Sequence, residues 1–465
     1  PHPGIRDSVA SRGLGDVYKR QSISLDMIKS YKKNSSSDPS LKLSRNAATH
    51  NEITDLAMDW DEYRKIDHTF SEQITGEMKI TNQRSSGRCW GYAGLNLFRI
   101  YLGRKHNLRN FEFSQTYFMF WDKLEKSNYF LNSVIETASE NWDSRLMMHL
   151  LHSPIQDGGQ WDMWVNLINK YGVVPKSEMP ETYQSGKSMR MNRMITRKLR
   201  EYAKELRDSI NKQKSEEEVY ALKNTMLSTI YKMLVIHLGE PPESFNWQVR
   251  DKKKGFHRFK NLTALSFFKE HVGIELNDLV CLINCPMADK EYDRVYTVEF
   301  LGNVIEGNPI RYLNVDIDVL KNASVESIKN NDPVWFGCDV GKYLHRTHGV
   351  MDTKLFDFNL FYGTEFSLDK ASRLEYGESK MTHAMLFTGV DLDSNGKPIK
   401  WRVENSWGER NGEKGYYIMS DEWFDQYLYE VVVSKKYLES DIVDLYEKQD
   451  AQLLPPWDPM GALAR

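Results

Sequence analysis

The fold of this chain is decided by one stretch, Asn82-Gln83-Arg84-Ser85-Ser86-Gly87-Arg88-Cys89-Trp90. The residues that follow, through Phe98, predict a helix that begins at the cysteine. Because a helix N-terminus favours negative charge, it would stabilise a thiolate there. The stretch therefore predicts a nucleophile at Cys89, with an oxyanion hole made by the Gln83 side-chain amide and the Cys89 backbone N–H. A buried structural cysteine is the alternative interpretation.

A nucleophile needs a base, and the base needs a group that orients it. Of the 12 histidines, His383 is the best placed, because the residues after it predict a buried strand. Asn405 follows a second strand-like run and could accept the imidazole proton, while Trp407 could shield that bond from water. An isolated histidine is more often a core residue, but the order Cys89, His383, Asn405 favours a catalytic set.

The remaining histidines and cysteines do not predict a metal site. His345 and His348 follow Cys338, but no closely spaced pair of cysteines completes a ligand set. Cys281 and Cys285 lie in an apolar run and are interpreted as core residues of a strand. The sequence therefore predicts no metal and no cofactor.

Several motifs together resemble the bleomycin hydrolase and bacterial aminopeptidase C family of papain-like cysteine peptidases. The resemblance covers about residues 24–465, and its motifs lie at 83–90, 157–163, 332–341, 381–385, 404–408 and 457–465. It implies an α+β fold with a papain-like, two-lobed core, a helical insertion and a C-terminal arm. It also implies release of N-terminal residues from peptides, with amide hydrolysis of the bleomycin hydrolase type, by a homohexameric barrel whose active sites face an internal channel.

The resemblance assigns roles to further residues. Gly158 and Gly159 would bind the substrate backbone along the cleft, where no Cβ intrudes. The C-terminal arm would end in the cleft near Ala464, and its carboxylate would pair with the free α-amine of the substrate. The sequence continues one residue further, so we expect the enzyme itself to trim Arg465.

The spacing of the motifs predicts where the insertion lies. Cys89 and His383 are far apart in the chain, whereas the papain branch separates its nucleophile from its base by roughly 130–150 residues. An apolar stripe in residues 187–212 predicts one amphipathic helix. A capping box formed by Ser215 and Glu218 predicts the start of a second.

Composition agrees with a globular enzyme and limits its partners. The chain has 465 residues, 62 of them basic and 65 acidic, with a formal net charge of −3. No apolar run is long enough for a membrane helix, and no secretory segment is recognisable. Secreted papain-like enzymes usually carry a bridging cysteine where this chain has Ser86. With only four cysteines, the chain is predicted to be cytoplasmic, with peptide substrates and no membrane partner.

Two other functions fit parts of the sequence. The basic and aromatic run Lys252–Lys260 could bind nucleic acid, as in a scaffold hexamer. The balanced overall charge makes nucleic acid an unexpected partner, and a solvated loop is the simpler interpretation. A cysteine endopeptidase is the other alternative, because the catalytic motifs alone do not define which end of a peptide is cut.

The chain divides into six predicted regions. Back-translation of residues 11–21 resembles a sequencing-library adapter, so residues 1–21 are interpreted as an artefactual or disordered tail and are excluded from the fold. The other regions are an N-terminal arm (22–80), a helical lobe with the nucleophile (81–175), a helical insertion (176–260), a mixed and then β-rich lobe with the histidine and asparagine (261–440), and a C-terminal arm (441–465). A polar linker is expected at 34–39.

Overall fold

The computed structural model describes residues 22–464; the tail predicted at 1–21 and the trimming predicted at Arg465 lie outside the described residues. The helices are α1 Leu25–Ser36, α2 Pro39–Ala48, α3 Ile53–Ala57, α4 Trp60–Tyr63, α5 Cys89–Lys105, α6 Gln115–Glu136, α7 Arg145–His152, α8 Trp161–Tyr171, α9 Tyr183–Gly186, α10 Met189–Asn211, α11 Glu216–Leu238, α12 Ala264–Phe267, α13 Ile317–Lys329, α14 Phe358–Tyr362, α15 Lys370–Glu375, α16 Asp421–Tyr427 and α17 Ser440–Lys448.

The strands are β1 Glu72–Gln73, β2 Phe245–Arg250, β3 Phe256–Leu262, β4 Leu279–Ile283, β5 Arg294–Val298, β6 Tyr312–Asn314, β7 Val334–Cys338, β8 Leu344–His345, β9 Val350–Met351, β10 His383–Leu392, β11 Pro398–Glu404, β12 Tyr416–Ser420, β13 Leu428–Ser434 and β14 Gln452–Leu454. Short 3-10 turns lie at Leu276–Asp278, Lys435–Tyr437 and Pro459–Ala464, and a π-helical turn at Phe268–Val272.

One large sheet carries His383, the predicted base. Its strands follow the order β14-β5-β6-β4-β13-β7-β10-β11-β12-β9-β8, and β1 also pairs with β10. Strand β10 lies between β7 and β11 and is antiparallel to both. The first eight residues of β10 are buried, as the apolar run after His383 predicts for a strand inside a sheet.

A helical layer carries Cys89, the predicted nucleophile. Helix α5 is buried along most of its length, which its apolar sequence predicts. Phe98 from α5 packs its ring against Trp164 of α8 with centroids 4.6 Å apart. The indole N–H of Trp335 on β7 donates to the Trp90 carbonyl at 3.2 Å, so the first turn of α5 is anchored to the large sheet. This anchor fixes the position of Cys89 relative to the strands.

The two amphipathic helices predicted between the motifs are present as α10 and α11. The buried residues of α10 include Met191, Ile195 and Leu199, which recur at helical spacing. The capping box predicted at Ser215 is formed, with its hydroxyl accepting from the Glu218 N–H at 3.2 Å. Both helices pack on α6, where their apolar faces are removed from water.

The chain separates into two compact units. The larger one, Trp60–Leu355 with residues 367–464, contains Cys89 and His383, the predicted nucleophile and base. The smaller one consists of described residues 22–59 together with Phe356–Phe366. Most of the linker expected at 34–39 is helical, because α1 extends to Ser36 and Asp38 caps α2 with Pro39 at its first turn. Helices α1 and α2 bury no residue.

Within residues 22–464, none of the helices is both long enough and apolar enough to cross a lipid bilayer.

Candidate active site

Cys89 is the first residue of α5, as predicted from the sequence. Its sulfur therefore lies among the unpaired backbone N–H groups of the helix N-terminus, which stabilise negative charge. Burial raises the pKa of the thiol, and the backbone N–H of Ala384, which hydrogen-bonds the sulfur, opposes this shift. Because Ala384 directly follows His383, the sulfur lies at the beginning of β10, beside the predicted base.

His383 is held by Asn405. The His383 Nε2 atom lies 3.0 Å from Oδ1 of Asn405, and both side chains are buried. The same Oδ1 accepts the Ser406 backbone N–H at 2.7 Å, so this atom is an acceptor. Nε2 must then carry a proton, which leaves Nδ1 as the basic nitrogen of the neutral ring. The hydrogen bond to Asn405 thus favours the tautomer with its proton on Nε2.

The ring of Trp407 covers this pair. Its centroid lies 4.8 Å from that of His383. The guanidinium carbon of Arg346 lies 4.5 Å from the Trp407 ring centroid on a cation–π contact. The indole is half-buried and limits the access of water to the His383–Asn405 hydrogen bond.

The side-chain amide of Gln83 is held by hydrogen bonds at both its nitrogen and its oxygen. Nε2 donates to the Ser86 carbonyl at 2.7 Å, and Oε1 accepts the Ser406 hydroxyl at 2.6 Å. The backbone N–H of Gln83 also donates to the Ser406 carbonyl at 2.8 Å. These bonds join the segment around Gln83 to the segment around Ser406. The Gln83 amide has a second hydrogen on Nε2 in addition to the one that binds the Ser86 carbonyl.

The segment before His383 is held by one buried carboxylate. Asp339 follows β7, and its side chain accepts from the Ser379 hydroxyl at 2.8 Å and the Thr382 hydroxyl at 3.2 Å. The backbone N–H of Lys380 is a third donor, at 3.3 Å. The Asp339 carboxylate therefore fixes the segment that leads into His383, and no local sequence pattern indicates this role.

Burial opposes the ionisation of either group alone. Burial raises the pKa of the Cys89 thiol to about 11, although nearby backbone N–H groups lower it. Burial lowers the pKa of the His383 imidazole to about 4, although the bond to Asn405 raises it. Proton transfer from sulfur to imidazole creates two opposite charges, which attract by about 4 kcal/mol at ~4 Å and an effective dielectric of ~20. A thiolate here therefore depends on an adjacent imidazolium as well as on the helix end.

The C-terminal arm packs against Gly158, the first of the two glycines predicted to line the cleft. A Cβ on Gly158 would collide with the Leu463 carbonyl oxygen, and a Cβ on Gly159 would lie 2.5 Å from the Trp90 ring. The Gln156 side-chain amide donates to the carbonyl of Ala464, which is buried. Gly158 therefore allows a close approach of the backbone of the arm, and Gly159 leaves room for the Trp90 indole.

A cavity of about 870 Å³ lies beside the arm. Its lining comes from α7, from the segment before His383 and from the arm itself, including His152, Lys380, Trp457 and Ala462. The cavity leaves room for a ligand next to the arm.

The other sequence candidates lie elsewhere. Among the described residues, no group of three or more His, Cys, Asp or Glu side chains could hold a metal ion. Cys281 is buried in β4 and Cys285 just after it, as predicted for core residues. The basic run Lys252–Lys260 forms the turn of the β2–β3 hairpin and the start of β3. There the Phe259 ring packs on Trp247, with centroids 5.2 Å apart.

Comparison with known proteins places this geometry in a family. The profile of the Peptidase C1-like family matches residues 22–461. Aminopeptidase C of Listeria monocytogenes is 48% identical over 86% of this chain and 89% of its own length. Bleomycin hydrolase of Homo sapiens is 43% identical over 92% of this chain and 96% of its own length.

A solved structure agrees with the sequence matches. The crystal structure of PepW from Lactobacillus rhamnosis superposes with a TM-score of 0.92 and is 45% identical. The match covers 95% of this chain and 99% of PepW. The α+β fold with a papain-like core is thereby confirmed, and this chain belongs to the Peptidase C1-like family of cysteine peptidases.

Proposed function

We propose that this protein is a cysteine aminopeptidase in which Cys89 attacks the first peptide bond of a substrate. The observation that carries the proposal is the joint placement of three groups: a cysteine at a helix N-terminus, an imidazole at the start of β10, and Asn405 on its Nε2. The aminopeptidase C and bleomycin hydrolase relatives support this activity.

The reaction begins with proton transfer. Nδ1 of His383 takes the proton of the Cys89 thiol as the sulfur attacks the scissile carbonyl carbon. The Gln83 side-chain amide and the Cys89 backbone N–H donate to the oxyanion. His383 then gives its proton to the leaving amine, which departs as the shortened peptide. Water, deprotonated by His383, attacks the thioester and releases the amino acid with the thiol restored.

The C-terminal arm restricts the cut to the N-terminus. Backbone contacts with Gly158 and the bond from Gln156 hold the arm over the subsites that residues upstream of the cut would need. A carboxylate presented by this arm would attract the α-amine of a substrate. Without such a barrier, the same catalytic set would be an endopeptidase.

The protein acts as a homo-oligomer in the cytoplasm under this proposal. Apolar side chains of the N-terminal arm are exposed in the single chain, including Ile23 at 71%, Leu25 at 77% and Leu43 at 72%. This exposure of apolar side chains along one segment supports an associating surface there. Association into a homohexamer follows from the family resemblance. The four cysteines are free thiols, which suits a reducing compartment.

A direct test uses two peptides of the same sequence, one with a free α-amine and one N-acetylated. Mass spectrometry of the digests should show stepwise loss of N-terminal residues from the free peptide only. Cys89→Ala should abolish this loss. Equal cleavage of internal bonds in the acetylated peptide would make the protein an endopeptidase, and hydrolysis by the Cys89→Ala variant would exclude the cysteine mechanism.

A further inference from the structure

The buried carboxylate of Asp157 contacts the loop that precedes Cys89 and has no role in the chemistry above. The Oδ1 atom of Asp157 accepts from Lys123 Nζ at 2.8 Å and from Asn192 Nδ2 at 2.6 Å. Its Oδ2 atom accepts from the Gly87 N–H at 3.0 Å and from the Ser188 hydroxyl. An ionised carboxylate offers about four lone-pair positions, so all of them are filled. The side chain is only 9% exposed.

The donors come from three separate parts of the molecule. Lys123 lies on α6, and Ser188 and Asn192 lie at the beginning of the inserted helix α10. Gly87 is two residues before the nucleophile on the loop that leads into α5. This one carboxylate therefore joins the helical lobe, the insertion and the nucleophile loop.

The backbone of the same residue contacts the other side of the nucleophile. The indole N–H of Trp90 donates to the Asp157 carbonyl at 2.6 Å. The side chain and the carbonyl of Asp157 thus bind the residues on either side of the Arg88–Cys89 pair. A displacement of Asp157 would move the start of α5, and with it the sulfur.

Asp157 also directly precedes the glycine on which the C-terminal arm lies. Lys123 and Lys126 donate to the Gln156 carbonyl at 2.6 and 3.0 Å, and Lys126 donates to the Gly158 carbonyl at 2.5 Å. These bonds hold residues 156–158, which form no helix or strand, in place. The position of the arm's contact surface and that of the nucleophile therefore depend on the same short segment.

We propose that Asp157 is a positioning residue that holds the nucleophile loop in register with the contact surface of the C-terminal arm and ties both to the helical insertion. The proposal deepens the proposed peptidase function and rests on it.

The charge of Asp157 gives the proposal a readout that a purely structural role would lack. The carboxylate is faced by the cations Lys123, Lys126 and Arg88. Although burial opposes its ionisation, Lys123 and the bonds from Ser188 and Asn192 hold its pKa below the usual range. Burial is the main cause that raises the pKa of the Cys89 thiol, and the Asp157 anion adds to this shift. Removing the charge should therefore lower the thiol pKa, while the lost bonds misplace the sulfur.

The test compares Asp157→Asn and Asp157→Glu with a matched control, Asp332→Asn. The Asp332 carboxylate also receives three side-chain donors, Tyr101, Lys436 and Tyr437, but none from the nucleophile loop. Steady-state kinetics on a free-amine peptide gives kcat and KM. Alkylation of the thiol by iodoacetamide across a pH series, corrected with Cys89→Ala, gives the pH midpoint of the sulfur without requiring peptide hydrolysis.

We expect Asp157→Asn to lower kcat by about 100-fold, the usual consequence of a small misplacement of reacting atoms. Its alkylation midpoint should move to lower pH. Asp157→Glu should restore the wild-type midpoint and part of kcat, and Asp332→Asn should retain both. The proposal is overturned if Asp157→Asn keeps kcat within about threefold of wild type. It is equally overturned if kcat falls with an unmoved midpoint and a loss of thermal stability equal to that of Asp332→Asn.

A second variant covers the case in which Asp157→Asn fails to fold. The double variant Ser188→Ala with Asn192→Ala removes only the donors from the insertion and leaves the ion pair with Lys123 intact. Its kcat should fall by about tenfold, as expected for the loss of bonds to a charged group. An unchanged kcat would show that the insertion does not position the nucleophile loop. If the wild type cleaves no peptide, the peptidase proposal fails, while the alkylation series still reports on Asp157.

Discussion

Ser406 connects the two sides of the active site, because its hydroxyl donates to Oε1 of Gln83 at 2.6 Å. Its backbone N–H binds the Asn405 oxygen that also faces His383. Ser406 therefore links Asn405, the partner of His383, to the side-chain amide of Gln83, which we propose as an oxyanion donor. Mutation can therefore separate the contribution of the Gln83 amide from that of the His383–Asn405 pair.

Replacement of Gln83 should impair the chemical step and spare the sulfur. Gln83→Ala removes a donor to the oxyanion, so kcat should fall by roughly 100- to 1000-fold. Ser406→Ala should cost less, because the Ser86 carbonyl still holds the Gln83 amide. Steady-state kinetics measures both effects. Iodoacetamide alkylation of Cys89 in Gln83→Ala should keep its wild-type rate, and a parallel loss of alkylation would mean that Gln83 supports the sulfur instead.

The titration of His383 should depend on the sulfur. In Cys89→Ala, the imidazole remains buried and lacks an anionic partner, so its pKa should lie near 4. With a pKa below the usual value, the ring stays neutral above that pH and protonates only as the pH falls through about 4. In the wild type, a thiolate would hold the proton on the ring to higher pH.

Imidazole NMR signals of wild type and Cys89→Ala over a pH series test this difference. Cys89→Ser is the matched control, since it keeps a polar atom at the site without a readily ionised group. The expected order has the wild-type pKa above that of both variants. Identical titration curves in all three proteins would show that the sulfur and the imidazole do not share a proton.

The C-terminal arm can be displaced without shortening the chain. Gly158→Ala places a Cβ against the Leu463 carbonyl, so the arm should leave its contact surface. Deletion of residues 461–465 should have the same result. In both, the preference for a free over an acetylated amine should fall by roughly tenfold or more, the scale of a lost bond to a charged group.

Gly341→Ala provides a control for the glycine substitution, because a Cβ there meets no atom within 4 Å. Digestion of the paired free and acetylated peptides gives the preference of each variant. A deletion variant that still discriminates against the acetylated peptide would locate amine recognition elsewhere in the cleft. Removal of Arg465 alone tests whether the last residue of the sequence slows access.

Periodicity and local chemistry carried the sequence predictions that the structure confirms. The start of α5 at Cys89, the strand after His383 and the helices α10 and α11 all follow from patterns within short windows. The linker expected at 34–39 was wrong, because Asp38 and Pro39 are turn residues that also begin helices.

The ties that hold the site together could not be predicted in the same way. Asp157 binds Gly87, 70 positions earlier in the chain, and Asn192, 35 positions later. Asp339 reaches Thr382 across 43 positions. No local pattern identifies such partners, because they meet only after the sheet and the helical layer have packed. The sequence shows an acidic residue, Asp157, directly before Gly158, but it does not indicate which residues bind its carboxylate.

A buried carboxyl in the large sheet should make stability depend on pH. Glu430 on β13 is fully buried, and its Oε1 accepts the Cys281 thiol at 2.9 Å, while Oε2 has no hydrogen-bond partner among the described residues. Burial raises its pKa from 4.5 to about 8, with the bond from Cys281 acting in the opposite direction. The folded protein therefore holds a proton on Glu430 at neutral pH.

The sign of the effect follows from proton binding in the two states. Because the folded pKa is above the unfolded value, the contribution of Glu430 to stability is complete below about pH 4.5 and is lost as the pH rises through about 8. Between these limits, this group should lower the free energy of unfolding by about 1.4 kcal/mol per pH unit. Glu430→Gln, which cannot ionise, should lack this slope. Urea unfolding at pH 5, 6 and 7 measures it, with the exposed Glu217→Gln as a control. Parallel curves for wild type and Glu430→Gln would show that the carboxyl ionises as readily in the folded protein as in the unfolded chain.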